Sequence, residues 1–238
     1  MAQHIFERYE IKFLITRAQK ARITAAMAQY MRPDAYGKSR INSLYFDTPD
    51  HRLIRRSLEK PIYKEKLRVR SYGTATPDST VFVELKKKYR SVVYKRRIGL
   101  PEAQVMAFLG GRETIPDSQI AREIAYFTQY YAPIQPSMLL SYEREAFYGR
   151  EGGAFRVTFD EAIYWRENDL SLCSPVGGEM LLDEDAVLME VKCAGAIPLW
   201  LMSLLSEMQI YKTPFSKYGT AYRITQQRRT QGGISYVE

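Results

Sequence analysis

Cationic residues recur at every second position in a segment whose composition favours a β-strand. The run Tyr63–Tyr72 (YKEKLRVRSY) carries Lys64, Lys66, Arg68 and Arg70 in alternation. Successive strand residues point to opposite faces, so these four side chains share one face of a sheet. Neighbouring like charges repel each other, and a repeated cationic face therefore indicates that a polyanion binds against it.

Five further predicted strands continue this alternation. Their residues on the charged or polar faces are Glu84, Lys86 and Lys88; Lys95 and Arg97; Tyr142 and Arg144; Arg156, Thr158 and Asp160; Glu190 and Lys192. The opposite faces of all six strands are assigned apolar residues, including Leu67, Val69, Phe82, Leu85, Val157 and Val191. One such strand is more typical of a solvent-exposed sheet face, but repetition in six strands favours a binding surface.

The order of the predicted elements indicates an α+β fold built on a large antiparallel sheet. We predict strands at 41–47, 63–72, 80–88, 91–100, 138–148, 155–164 and 187–193. We predict helices at 16–32, 101–109, 117–131, 198–208 and 216–226, with Asp117 capping the third. The length of 238 residues fits one domain, which we place at 1–227 with a C-terminal tail at 228–238.

The composition points to an anionic partner in a reducing compartment. The formal net charge is +8, and only two cysteines occur, Cys173 and Cys193. The N-terminus lacks the pattern of a secretory signal, and the sequence has no apolar run of the roughly 20 residues needed to span a bilayer. We therefore expect a soluble, cytoplasmic protein.

Three Glu-x-Lys triplets place an acid and a base on one strand face. They are Glu10–Lys12, Glu84–Lys86 and Glu190–Lys192. Beside the arginines, such triplets provide cations for phosphates and carboxylates for a divalent metal, because hard cations take oxygen ligands and often bridge to substrate phosphates. Ser216 is predicted to cap the last helix, and with Lys217 it forms a further anion site, since a helix N-terminus offers free N–H groups.

An ordered set of segments resembles a known family. The segments are FERYEIKFLI, INSLYFDTPD, KEKLRVRSYG, VFVELKKK, LMEVKCAG and PFSKYGTAY, and together they extend from about Phe6 to Arg223. They resemble the VTC domain, a branch of the triphosphate tunnel metalloenzymes. The resemblance implies a closed eight-stranded antiparallel β-barrel, with helices packed outside and a basic lining that forms a tunnel for phosphates.

The resemblance also implies an activity and a site. The VTC branch transfers the terminal phosphate of ATP to a growing polyphosphate chain with Mn²⁺ or Mg²⁺, so ATP, polyphosphate and inorganic phosphate are the expected partners. The matching motifs imply catalytic roles for Lys12, Arg68 and Arg70, phosphate binding by Lys86 and Lys95, and metal binding by Glu190. The shared faces and the helix start add phosphate-binding residues Lys66, Arg97, Arg144, Arg156, Lys192, Tyr142, Ser216 and Lys217, and metal ligands Glu10 and Glu84.

One departure from the family pattern bears on the reaction. Hydrolytic relatives begin with Glu-x-Glu-x-Lys, whereas this sequence has Arg8 at the first position. A cation there favours holding phosphate over activating water, and so favours a polymerase. A triphosphatase or NTPase, a nucleotide cyclase and a non-catalytic polyphosphate sensor stay open as alternatives.

Two further expectations concern partners. A nucleic-acid binder is disfavoured, because the cationic faces have few of the interleaved aromatics on which bases stack. The length leaves no room for the SPX-like region or the membrane span of eukaryotic relatives. We therefore expect a stand-alone, bacterial-type protein, whose association with a membrane would be peripheral, through a partner.

Overall fold

The structure is a computed structural model that describes residues 9–90, 92–151 and 155–232. Its strands are β1 (Tyr9–Thr16), β2 (Met31–Pro33), β3 (Ser39–Asp47), β4 (Tyr63–Tyr72), β5 (Thr80–Tyr89), β6 (Val92–Pro101), β7 (Gln135–Gly149), β8 (Arg156–Arg166), β9 (Glu179–Met180) and β10 (Ala186–Cys193). Its helices are α1 (Arg17–Met27), α2 (Arg52–Leu58), α3 (Glu102–Leu109), α4 (Gln119–Tyr130), α5 (Leu199–Glu207) and α6 (Lys217–Gly232). The predicted α+β class is confirmed, while Arg8 and Ser91 lie outside the described residues.

The sheet is antiparallel in its described pairings but differs from the predicted closed barrel of eight strands. Eight strands are hydrogen-bonded in the order β1-β10-β8-β7-β3-β4-β5-β6, and the short strands β2 and β9 add to β7 and β8. Within the described residues this order is open, and the prediction of a closed barrel is wrong. One reason lies at β1, whose Lys12 carbonyl accepts the N–H of Thr213 at 2.7 Å and whose Phe13 forms a bridge with Lys212.

The chain divides into two compact units, each with its own core. Unit 1 comprises Met1–Ile41, Tyr142–Ile163 and Leu182–Phe215, and unit 2 comprises Asn42–Ser141, Tyr164–Leu181 and Ser216–Glu238. The predicted limits of the domain and tail stay predictions, because residues 1–8 and 233–238 lie outside the described chain.

In unit 2, the apolar face of β4 and β5 packs against two helices. Leu67 and Val83 are fully buried in this core, and α3 and α4 contribute Val105 and Ile124. In strands that alternate, burial of one face fixes the orientation of the other. The charged side chains of these strands consequently share the opposite face.

In unit 1, β1, β8 and β10 use the same arrangement. Val157 and Met189 are fully buried with Ile23 of α1 and Leu201 of α5. Thr16 caps α1 through a capping box, because its side chain accepts the N–H of Gln19 while the Gln19 side chain accepts the N–H of Thr16. Because the apolar side chains of these strands are buried on one face, the alternating polar side chains point to the opposite face.

Two predicted helix ends are wrong for tertiary reasons. The first helix was predicted to reach residue 32 but ends at Met27, because Met31–Pro33 pairs as β2 with the end of β7. The last helix was predicted to end near residue 226 but continues to Gly232. A contact in this additional part of the helix is the tertiary reason: both terminal guanidinium nitrogens of Arg228 lie 2.6 Å from the carboxylate oxygens of Glu179.

Two helix starts were also missed. The cap of α4 is Ser118, whose Oγ accepts the N–H of Ala121 at 3.1 Å, and not the predicted Asp117. The segment after β3, where no helix was predicted, contains α2. In its first turn, the N–H groups of Leu53 and Ile54 donate to the carboxylate of Asp47 at 2.8 and 3.0 Å.

Gly178, just before β9, allows two backbone segments to approach closely. Gly178 has φ +106°, and an added Cβ would lie 2.3 Å from the carbonyl oxygen of Trp165. We expect Gly178→Ala to lower the free energy of unfolding by about 3 kcal/mol, since it combines a left-handed φ with a backbone clash. Urea unfolding would measure this loss.

The matched control is Gly111→Ala, at a glycine with φ +72° and no atom within 4 Å of the added Cβ. The control retains only the conformational cost, about 1 kcal/mol. Equal losses for the two variants would contradict the clash.

Candidate functional site

In unit 2, strand register places the predicted cations of β4, β5 and β6 in two neighbouring rows. One row aligns Arg68 with Glu84 and Glu84 with Arg97. The next aligns Lys66 with Lys86 and Lys86 with Lys95. Antiparallel pairing of alternating sequences therefore gathers six predicted site residues on one face.

Glu84 is the centre of this group, which we call the Glu84 cluster and define as Glu84, Arg68, Lys95 and Arg97. Its carboxylate lies 2.8 Å from Nε and 2.7 Å from Nη2 of Arg68. Nζ of Lys95 lies 2.6 Å away and Nε of Arg97 3.6 Å away. One carboxylate thus holds three cationic side chains.

The electrostatics of this cluster follow from burial and net positive charge. Glu84 is 1% exposed. Burial alone raises the pKa of its carboxyl group, but the charges of Arg68, Arg70 and Lys95 outweigh burial and hold that pKa well below its usual range. Burial also lowers the pKa of Lys95, more than the neighbouring Glu84 carboxylate raises it. The carboxylate therefore remains ionised across the physiological pH range.

A tyrosine that the sequence did not single out holds Arg68 from another side. The Tyr45 hydroxyl accepts a hydrogen bond from Nη1 of Arg68 at 3.0 Å. Ser43 on the same strand face accepts one from Nε of Arg70 at 3.4 Å. The alternation of Ser43, Tyr45 and Asp47 with the apolar Leu44 and Phe46 was the available signal.

Arg97 rests on an aromatic ring that the sequence assigned to the wrong face. Its guanidinium carbon lies 3.5 Å from the ring centroid of Phe82. Phe82 is two residues from Glu84, so the β-strand period places both on the charged face, and the prediction of an apolar face for Phe82 is wrong. A cation–π contact is favourable for the guanidinium and orients its plane.

The start of α6 adds the predicted anion site to unit 2. Ser216 caps the helix, as predicted, because its Oγ accepts the N–H of Gly219 at 3.2 Å. Lys66 donates to the same Oγ at 3.3 Å. Ser216, Lys217 at the first helical position and Lys66 of β4 are therefore neighbours, and they combine cations with a helix N-terminus.

In unit 1, the other two Glu-x-Lys triplets pair with each other. Lys12 of β1 lies opposite Glu190 of β10, and Glu10 lies opposite Lys192. On the other side of β10, Glu190 aligns with Thr158 and Lys192 aligns with Arg156. The register thus brings together predicted residues from three strands.

Glu190 is the centre of a second group, the Glu190 cluster, defined as Glu190, Lys12, Arg144 and Lys192. Its carboxylate oxygens lie 3.4 Å from Nζ of Lys12, 3.2 Å from Nη2 of Arg144 and 3.3 Å from Nζ of Lys192. Glu190 is 6% exposed. As in unit 2, three cations share one buried carboxylate.

Further contacts fix the cations of this second cluster. Arg144 forms a forked pair with both carboxylate oxygens of Asp160 and lies over the ring of Tyr142. Its burial lowers its pKa, but the charge of Asp160 outweighs burial, and the pKa lies well above the usual value. Arg156 lies 4.7 Å from the ring centroid of Tyr148. The predicted ligands Tyr142, Arg144 and Arg156 thus belong to unit 1.

The donor set near Glu190 fits a hard cation that brings ligands of its own. Glu10 and Glu190 both lie close to Lys12, at 3.3 and 3.4 Å. Thr158, aligned with Glu190, is fully buried, and its hydroxyl has no hydrogen-bond partner within the described residues. Mg²⁺ commonly uses one or two carboxylates together with phosphate oxygens and waters.

The residues do not fit a metal held by protein alone. Among residues 9–90, 92–151 and 155–232, no group of three or more His, Cys, Asp or Glu side chains is arranged to hold an ion. Glu84 fits less well than Glu190, because Arg68 and Lys95 contact its two oxygens at 2.7 and 2.6 Å. In the Glu84 cluster the cations outnumber the carboxylate three to one, an arrangement that favours a multiply charged anion. In the Glu190 cluster, Lys12 also pairs with Glu10 and Arg144 also pairs with Asp160.

Comparison with known proteins identifies the family. The family model for the VTC domain matches residues 7–226. The chain belongs to the VTC domain family, and the resemblance seen in the ordered motifs is confirmed.

One curated relative and two solved structures give the range of similarity. The chain is 25% identical over 255 residues to vacuolar transporter chaperone complex subunit 4 of Schizosaccharomyces pombe, and this match covers 88% of the chain and 34% of that protein. The chain thus spans about a third of that relative's length.

A Bacillus halodurans structure described as a candidate adenylate cyclase has a TM-score of 0.54 at 14% identity, covering 88% of this chain and 95% of that one. A Hippeastrum protein described as a candidate adenylyl cyclase with a dominant triphosphatase activity has a TM-score of 0.47 at 14% identity, covering 88% and 92%. The first similarity shows a shared fold. Separately, none of the helices in the described residues has the length and apolar character needed to cross a membrane.

Removal of the central carboxylate in unit 2 tests its role as counter-charge. We expect Glu84→Gln to lower the free energy of unfolding by about 3 to 5 kcal/mol, because it leaves partly buried cations unpaired. Tripolyphosphate should then raise the melting temperature of the variant more than that of the wild type, because phosphate replaces the missing charge. Calorimetry with and without tripolyphosphate measures both effects.

The matched control is Glu123→Gln, which also removes a carboxylate from between two cations. Glu123 lies 3.2 Å from Arg96 and 3.9 Å from Lys87 and is more exposed, so its loss should cost less than about 1 kcal/mol. A smaller tripolyphosphate effect in Glu84→Gln than in the wild type would instead support the predicted metal role of Glu84.

The ionisation of Tyr45 gives a pH-dependent prediction. Burial raises its pKa, but the charges of Arg68, Lys66 and Arg70 outweigh burial and lower the pKa to about 8. An unfolded tyrosine has a pKa of about 10. The phenolate therefore stabilises the folded chain fully above about pH 10, and this contribution is lost as the pH falls through about 8.

An ultraviolet difference titration of wild type against Tyr45→Phe would detect this phenol. Tripolyphosphate should move the titration to higher pH, because added negative charge disfavours the phenolate. Tyr36→Phe, at an exposed tyrosine, is the control. Identical titrations of wild type and Tyr45→Phe below about pH 9 would contradict the prediction.

Proposed function

We propose that this chain synthesises polyphosphate by transferring the terminal phosphate of ATP to a polyphosphate chain. The observation that carries the proposal is the pair of clusters in which three cations surround one buried carboxylate. Membership of the VTC domain family and the match to a vacuolar transporter chaperone subunit support polyphosphate as the product.

The transfer needs positioned phosphates and neutralised charge rather than a covalent nucleophile. An oxygen of the terminal phosphate of the chain, or of inorganic phosphate at initiation, attacks the γ-phosphorus of ATP. The bond between that phosphorus and the oxygen bridging to the β-phosphate breaks, and ADP leaves. The polymer is then one phosphate longer.

The residues take the following proposed roles. Arg68 and Arg70 hold the transferred phosphoryl group, and Lys12 orients the attacking or leaving oxygen. The remaining phosphate ligands are Lys66, Lys86, Lys95, Arg97, Tyr142, Arg144, Arg156, Lys192, Ser216 and Lys217. Preorganised cations of this kind stabilise charge in the transition state without further rearrangement.

A divalent metal, Mn²⁺ or Mg²⁺, completes the proposal. Glu190 and Glu10 would hold it, with the Thr158 hydroxyl as a further oxygen donor. The bound ion would neutralise negative charge on the phosphates. Glu84, as the counter-charge of the cations in unit 2, would act mainly by keeping Arg68 in place.

The decisive experiment incubates the purified protein with ATP, inorganic phosphate and Mn²⁺ or Mg²⁺. Products are resolved as chain-length ladders on a gel and assayed for free phosphate and cyclic nucleotide. We expect a ladder that disappears with EDTA and returns with added metal. Arg68→Ala should reduce turnover by about 100-fold or more, because it removes a cation from the transferred phosphate.

The matched control is Arg22→Ala, at an exposed arginine that pairs with Glu207. Turnover should be unchanged there. Free phosphate without polymer would overturn the polymerase proposal in favour of a triphosphatase, and cyclic nucleotide would indicate a cyclase. Absence of turnover, with RNA binding that survives Arg68→Ala, would overturn the phosphate site itself.

A further inference from the structure

A buried tyrosine next to the proposed anion site anchors the start of α6. Tyr218 follows Ser216 and Lys217 and is 2% exposed. Its hydroxyl donates to Oδ2 of Asp47 at 2.9 Å and lies 3.1 Å from Oγ of Ser137. Burial and the charge of Asp47 raise the pKa of Tyr218, so the hydroxyl keeps its proton and remains a donor.

The acceptor of this bond is itself rigidly held. Asp47 is fully buried at the end of β3. Besides the tyrosine, it accepts the N–H groups of Thr48, Leu53 and Ile54 at 2.8, 2.8 and 3.0 Å. The carboxylate that caps α2 therefore also fixes α6, and a buried carboxylate with several hydrogen-bond donors has little freedom to move.

The ring of Tyr218 contacts Tyr45, which in turn contacts Arg68 of the Glu84 cluster. It stacks on Tyr45, with centroids 4.5 Å apart and an interplanar angle of 23°. The Tyr45 hydroxyl in turn accepts from Arg68 at 3.0 Å. Nζ of Lys66, two residues from Arg68, lies 5.9 Å from the Tyr218 centroid and donates to Ser216.

We infer that Tyr218 and Tyr45 are positioning residues that fix the start of α6, with Ser216 and Lys217, relative to Arg68. A continuous set of contacts runs from Asp47 through the two stacked rings to Arg68 and Glu84, all within unit 2. The inference rests on the proposed function, since it assigns both ends of this path to phosphate binding.

Positioning has a consequence that separate ligands would not show. If the tyrosine pair holds Lys217 and Arg68 at a fixed spacing, one polyphosphate chain contacts both, and little conformational entropy of the two side chains is lost on binding. Removal of the Tyr218 hydroxyl should then weaken the contribution of Lys217, although that hydroxyl touches no phosphate. Residues that act as a unit give non-additive effects, and a mutant cycle measures them.

The experiment measures tripolyphosphate affinity by calorimetry for wild type, Tyr218→Phe, Lys217→Ala and the double variant. Tyr218→Phe keeps the stacked ring and removes only the hydrogen bond to Asp47. We expect it to weaken binding by about tenfold, the size of one lost hydrogen bond. Lys217→Ala should weaken binding by about tenfold in the wild type but only about twofold in the Tyr218→Phe background.

Two further measurements separate positioning from general damage. Tyr222→Phe removes a hydroxyl from the same helix one turn later and should leave affinity unchanged. Hydrogen exchange of the Gly219 amide, which donates to Ser216, should be faster in Tyr218→Phe but not in Tyr222→Phe.

The possible outcomes distinguish this inference from the proposed function. If wild type binds tripolyphosphate and Tyr218→Phe binds it equally tightly, or if the effects of Tyr218→Phe and Lys217→Ala simply multiply, the positioning role is overturned and the phosphate site stands. If wild type binds no tripolyphosphate, both are overturned.

Discussion

Cations that share one face of a sheet repel one another, and in each unit buried carboxylates offset this repulsion. Glu84 contacts Arg68 and Lys95 in unit 2, and Glu190 contacts Lys12 and Arg144 in unit 1. Without these carboxylates the strands would place like charges side by side in a partly buried setting. The charged face depends on them as much as the apolar face depends on its packing.

In the Glu84 cluster, one carboxylate leaves an excess of positive charge. Three cations to one anion is an arrangement that a phosphate chain can complete, because its oxygens accept from donors that are already oriented. A metal carried by the phosphates is compatible with Glu190, which has the buried hydroxyl of Thr158 aligned beside it. The charges that order the cluster are thus the same charges that are proposed to bind a polyanion.

Neutral side chains also orient the arginines of the Glu84 cluster. Tyr45 and Phe82 fix two of the arginines through a hydroxyl and a ring face, contacts that have direction but add no formal charge. Tyr218 extends this to a helix start through the carboxylate of Asp47. Cationic side chains are long and flexible, so positioning by aromatic neighbours would reduce the entropy lost in the proposed binding of phosphate.

Alternation in the sequence was enough to predict most strands and the charged face, and a serine at a helix start predicted the cap at Ser216, because these depend on residues near one another in the chain. The family was predicted from an ordered set of segments along the sequence. Alternation could not predict that Glu84 and Glu190 each hold three cations, since this requires the register of neighbouring strands. It also missed α2, whose cap lies on β3, and predicted a closed barrel where the described strand order is open. Those features are set by long-range pairing and packing, which only the tertiary structure decides.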